Sequence, residues 1–162
     1  MKYMEISEAA ALKNLNLAQN YADISSTCDK VRVGSMIVTE DGYISYGSNH
    51  GIHNCVKNGC RRIELYGENS KEHRLPSDCD AIHSEVDAIS KAAKIGLKLS
   101  GATIFVTRYP CENCARAISQ SGITTVIYGR KEDPSDYTKQ ILEDAGIKLY
   151  KVSEFNREDN NA

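Results

Sequence analysis

Apolar residues recur at helical spacings near the N-terminus, where Ile6, Ala9, Ala10, Leu12, Leu15, Leu17 and Ala18 form one stripe and Ser7 stands where an N-cap belongs. The spacing predicts a packing helix over residues 6–22. Ser25 to Lys30 is loop-like. Val31 to Thr39 is rich in β-branched residues and predicts a strand, Glu40-Asp41-Gly42 supplies a hairpin turn, and Tyr43 to Ser48 is the partner strand. From Asn49 to Ala81 the periodicity fails, with recurrent glycines, many polar residues, three cysteines and three histidines. An irregular insert of that length in a compact domain is normally functional or held by a metal.

Regular structure resumes beyond the insert. Asp80 is placed to cap a helix from about Ile82 to Ile95, with Val86, Ile89 and Ala93 on one face and Gly96 just past its end. Thr103 to Thr107 is a short apolar strand. A helix then opens at Pro110 and ends at Gly122. Thr124 to Tyr128 predicts a strand, Asp136 to Ala145 a helix closed by Gly146, and Ile147 to Val152 a last strand. A helix, two strands, and then alternating helix and strand imply an α/β domain with a mixed sheet. The expectation is one domain over residues 1–162, with its core at 6–152, an insert at 49–81 and a flexible charged tail at 153–162.

Composition narrows the function. A chain of 162 residues that is 41% hydrophobic can bury one core. Its formal net charge of −2 and the lack of a long basic run point away from nucleic acid and toward a small-molecule substrate. No apolar run approaches the roughly 20 residues that span a membrane. Met1 to Asn20 lacks the basic start and apolar block of a signal peptide, so the expected location is cytoplasmic. Six cysteines in a reducing compartment argue for metal binding or catalysis over disulfides.

The chemistry concentrates in two stretches, His83-Ser84-Glu85 and Pro110-Cys111-Glu112-Asn113-Cys114. A catalytic zinc takes three protein ligands and keeps its fourth position for water. His83, Cys111 and Cys114 provide three, and Glu85 could move protons beside the metal without binding it. A Cys-x-x-Cys alone is a weak signal, but H-x-E combined with P-C-x-x-C is the signature of zinc deaminases acting on nucleobases. Two helix N-termini carry these ligands, and their partial positive charge favours the thiolates that zinc needs.

With these motifs the chain resembles the deoxycytidylate (dCMP) deaminases of the cytidine deaminase-like superfamily, from about Ser25 to Tyr150. The likeness also runs through Ser26-Thr27-Cys28, Val33-Gly34, Gly47-Ser48-Asn49, Ala88-Ile89, Ser121-Gly122-Ile123 and Ala145-Gly146-Ile147. It implies a three-layer α/β/α fold around a five-stranded mixed sheet and hydrolytic deamination of dCMP to dUMP. It also implies a homo-oligomer, often a hexamer, and dCTP and dTTP as effectors. Asn49 and Lys30 are implied at the sugar-phosphate end of the ligand, and the backbone N–H of Ser84 at the base carbonyl. Lys30 stands where the family usually has arginine, Ser84 where alanine is common, and Asp87 where asparagine is common.

Some members hold a second, structural zinc in the insert. The resemblance extends that expectation to Cys28, Cys55, Cys60 and Cys79, with His50, His53 or His73 as substitutes for one thiol. Other functions stay open on the sequence. They are a same-fold deaminase acting on a 5-modified cytosine nucleotide, a free base or a tRNA adenosine, and a zinc-stabilised binding protein without turnover. A structural zinc site has no use for Glu85, which favours an enzyme.

Overall fold

The N-terminal stripe forms helix α1 (Glu8–Ser25), capped as expected by Ser7, whose Oγ accepts the Ala10 N–H. Its buried face is narrower than the stripe: Ala11, Leu15, Ala18 and Ala22 are enclosed, while Ile6, Ala9 and Leu17 face solvent. In the computed structural model, residues 6–68, 79–130 and 137–155 are described.

The hairpin follows as β1 (Gly34–Val38) and β2 (Ile44–Ser48), closed by Thr39–Tyr43 hydrogen bonding and by Gly42 at φ 85°, a conformation that suits glycine. With β3 (Thr103–Arg108), β4 (Thr125–Arg130) and β5 (Lys148–Lys151), these strands build one five-stranded sheet in the order β2-β1-β3-β4-β5. β1 is antiparallel to β2 and β3, whereas β3, β4 and β5 run parallel, so the sheet is mixed as expected.

Alternation along the strands makes two cores. On one face, Met36, Phe105 and Ile127 pack with Ala11, Leu15 and Ala18 of α1. On the other, Ile37, Ile104, Val106 and Val126 pack under α4 (Ser84–Lys94), α5 (Glu112–Ser119) and α6 (Tyr137–Asp144), through Ala88, Ala92, Ala115, Ile118 and Leu142. The fold is the three-layer α/β/α arrangement.

Four expectations need correction. The insert is not wholly irregular, since it carries two short helices, α2 (Cys55–Asn58) and α3 (Arg61–Tyr66). Asp80 does not cap α4, because its carboxylate accepts the His53 N–H at 3.0 Å and His83 occupies the cap position. The buried face of α4 is Ser84, Glu85, Asp87, Ala88 and Ala92, and Ala93 is exposed. Packed chain continues past residue 152, because Phe155 is only 5% exposed and joins the α1 core. The rest of the predicted tail, 156–162, lies outside the described residues.

The polar side of α4 is held by Asp87. Its Oδ2 accepts the Ser48 N–H at 3.0 Å and Lys91 Nζ at 2.7 Å, and its Oδ1 pairs with His50 Nε2 at 3.0 Å. Burial alone would raise the carboxyl pKa, but these hydrogen bonds outweigh it and hold the group below its ordinary 3.8. The network ties the end of β2 to α4. Asp87→Ala should therefore cost about 2 kcal/mol at neutral pH, as removal of a buried hydrogen-bonded charge does. Because the folded pKa is depressed, the contribution is complete above the unfolded value and is lost as pH falls through the folded one. Denaturant unfolding at a series of pH values should show the gap between wild type and variant closing below about pH 4.

Candidate metal centre and its cavity

Two helix N-termini meet at the expected ligands. His83 is the residue at the start of α4, and Cys111 caps α5 with Cys114 on its first turn. Their donor atoms lie within 4.8 Å of one another, and both sulfurs sit 3.4 Å from His83 Nδ1. A tetrahedral zinc with ordinary bond lengths places sulfur and nitrogen about 3.5 Å apart. The spacing therefore fits zinc. Glu85 is outside this group of three, which leaves it as a neighbour of the ligands and not one of them.

The ligands are electrostatically prepared. A hydrogen bond from Cys114, then one with His83, pulls the Cys111 thiol down to about 4 against the effect of burial. Cys114 moves the other way, pushed up first by its bond to Cys111 and then by burial. A cation held between the two sulfurs would displace their protons. His83 is raised, chiefly by its hydrogen bond to Cys111. Glu85, only 4% exposed, is raised by desolvation, which outweighs the nearby His83. A buried carboxyl whose pKa is raised above its ordinary value holds a proton more readily, which suits it to proton transfer.

The centre opens into a cavity of about 610 Å³. Lys30, Asn49 and Ser84 line it, as expected, and so do Arg62, Arg108 and Tyr109, which the sequence reading did not single out. Asn49 is more deeply engaged than a substrate contact alone requires. Its Oδ1 accepts from Ser26 Oγ at 2.8 Å and from the Val33 N–H at 2.9 Å, and its Nδ2 donates to the Val31 carbonyl at 2.7 Å. It knits the loop before β1 to the end of β2. Arg62 Nε is buried and has no hydrogen-bond partner among the described residues.

Cys28, Cys55, Cys60 and Cys79 also border this cavity. Burial, then the charges of Cys60, Cys28, Asp29 and Cys79, lift the Cys55 thiol to about 11, so the four thiols share one neighbourhood. They are looser than the first site, since among the described residues only His83, Cys111 and Cys114 bring three donors within 4.8 Å. Cys79 lies in the non-helical chain before α4, which begins at Ser84. His53 lines the cavity with its Nε2 on the Gly59 carbonyl, His50 is tied to Asp87, and His73 lies outside the described residues.

The family model for the cytidine and deoxycytidylate deaminase zinc-binding region matches residues 8–130. The chain belongs to this family. Among similar proteins, ComE operon protein 2 of Bacillus subtilis (strain 168) is 34% identical over 133 residues, 80% of this chain and 64% of that protein. The deoxycytidylate deaminase of Enterobacteria phage T2 is 39% identical over 106 residues, 64% of this chain and 56% of that protein. The chain thus spans less than two thirds of the length of either relative. The dCMP deaminase of cyanophage S-TIM5, solved with dCMP and dUMP, shares the fold at TM-score 0.63 and 24% identity, over 93% of this chain and 99% of that one. His83, Cys111 and Cys114, whose donor atoms could hold a metal ion, all lie within the matched residues. Among the described residues no helix is long and apolar enough to cross a membrane.

Cys114→Ser and His83→Ala should each lose the zinc of this centre, while Glu85→Ala should keep it. Elemental analysis of dialysed protein checks this, and a Glu85→Ala variant short of zinc would make Glu85 a ligand.

Proposed function

We propose that the protein hydrolyses dCMP to dUMP and ammonia. The observation that carries the reading is a buried carboxyl, Glu85, beside a His83–Cys111–Cys114 group of zinc dimensions at the floor of an open cavity. Zinc in that group would supply an activated water at neutral pH and a charge to polarise the reacting carbon. Glu85 accepts the first proton of the attacking water and passes it to ring N3, then takes the remaining hydroxyl proton and delivers it to the departing amine. Cytosine and water thereby become uracil and ammonia. The Ser84 N–H lies in the first turn of α4, where a backbone donor has no intrahelical partner and is available to the base carbonyl.

Lys30 and Arg62 border the cavity and are proposed to hold the 5′-phosphate. The orphaned Arg62 Nε supports this, because a phosphate oxygen would satisfy it. We extend the proposal to a second, structural zinc at Cys28, Cys55, Cys60 and Cys79. Its support is four thiols around one end of a polar insert that has little apolar surface of its own. Regulation by dCTP and dTTP within a homo-oligomer rests on the resemblance.

Ammonia release across cytosine, cytidine, deoxycytidine, CMP, dCMP, dCTP and 5-substituted dCMP tests the substrate. dCMP should be preferred over deoxycytidine, with the preference narrowed in Lys30→Ala and Arg62→Ala; equal turnover of nucleoside and monophosphate sinks the phosphate assignment. Glu85→Ala should lose at least ~100-fold in rate, the lower end for acid–base catalysis. For the second site, elemental analysis should give two zinc ions per chain, falling to one in Cys28→Ser or Cys60→Ser with a lower melting temperature. One zinc in fully loaded wild type, with Cys28 and Cys60 freely alkylated in the native state, would remove it.

A further inference from the structure

Beneath the cavity floor lies a hydrogen-bonded chain that the chemistry above does not use. Ser84 Oγ donates to Glu85 Oε2 at 3.1 Å and stands 2.7 Å from Ser35 Oγ. Both serines are wholly buried. A hydroxyl carries one proton, and that of Ser84 is committed to Glu85, so Ser35 is the donor of the second bond. The order is Ser35 to Ser84 to Glu85.

The far end of this chain is rigid. Ser35 sits on β1, an inner strand paired on both sides, between Gly47 of β2 and Val106 of β3. Hydrogen bonds therefore anchor the Glu85 carboxylate to a strand held from both sides. A glutamate side chain has three rotatable bonds, and a misplacement of about 1 Å at a reacting group costs up to ~100-fold in rate. Packing cannot select the orientation of a carboxylate as a directional donor can.

We propose that Ser35 and Ser84 are positioning residues that hold the Glu85 carboxylate in its proton-transfer orientation. This rests on the deaminase reading for its kinetic consequence. It is distinct from the backbone role of Ser84, which any residue there would supply.

The experiment compares zinc-loaded wild type, Ser84→Ala, Ser35→Ala and the double variant. Each substitution removes only a hydroxyl, and Ser35→Ala tests the far end of the chain even if Ser84→Ala folds poorly. Zinc content should be equal in all. The kcat for dCMP should fall roughly tenfold in Ser84→Ala and less in Ser35→Ala, with KM within about twofold, as loss of a charge-assisted hydrogen bond to a catalytic group predicts. The double variant should be no slower than Ser84→Ala, because Ser35 acts only through Ser84. Crystal structures should show one Glu85 orientation in wild type and more than one in Ser84→Ala. An unchanged kcat in Ser84→Ala, additive effects in the double variant, or an undisturbed Glu85 there would each overturn the proposal. If wild type released no ammonia from any nucleotide, the deaminase reading would fall, and the orientation of Glu85 would still decide the positioning role.

Discussion

The close seating of α4 on β2 is the constraint on which the rest depends. A Cβ at Gly47 would overlap the Ser84 carbonyl oxygen and crowd the Ala88 nitrogen and side chain. Only a residue without a side chain lets the first turn of α4 descend this far. That turn carries Ser84 and Glu85 and follows His83, so the depth of one glycine sets the height of the ligand, the acid–base group and the backbone donor together. Gly34 does the same on the opposite face, where a Cβ would overlap the Ala18 carbonyl of α1. Gly34 pairs with Ser48, and Gly47 with Ser35, one position along the hairpin. Two helices therefore clamp the sheet from both sides at nearly the same place.

Around that clamp the polar groups take their partners from different layers. Asp87 joins β2 and the start of the insert to α4, and Lys91 continues the link to Tyr21 of α1 through a 2.8 Å hydrogen bond. Asn49 ties Ser26, Val31 and Val33 of the loop before β1 to the end of β2 with one amide. Such groups are costly to bury alone, and Asp87, Lys91 and Asn49 are each hydrogen-bonded, which fixes how these layers sit on one another.

Most of this was legible because regular elements have periods and metal sites have spacings. The helices at Glu8–Ser25, Ser84–Lys94, Glu112–Ser119 and Tyr137–Asp144 follow apolar repeats bounded by caps and glycines, and the ligand trio follows its two motifs. What escaped was tertiary. Helices of four and six residues have no period to read, and α2 is fixed by the Cys55 and Val56 N–H groups on the Thr27 carbonyl. The buried face of α4 is small and polar because Gly47, Ser35 and Ser45 lie under it, so its apolar residues misled. Arg62 stands in a polar stretch with nothing local to mark it, and only its orphaned Nε inside the cavity reveals it.

The three ligands differ in depth: His83 is exposed, Cys111 half-buried and Cys114 buried. In the proposed zinc site His83 and Cys111 line the cavity while Cys114 lies behind them. A metal held there would be reached by solvent, substrate and chelators from the cavity side alone, so whatever fills the cavity would also shield the metal.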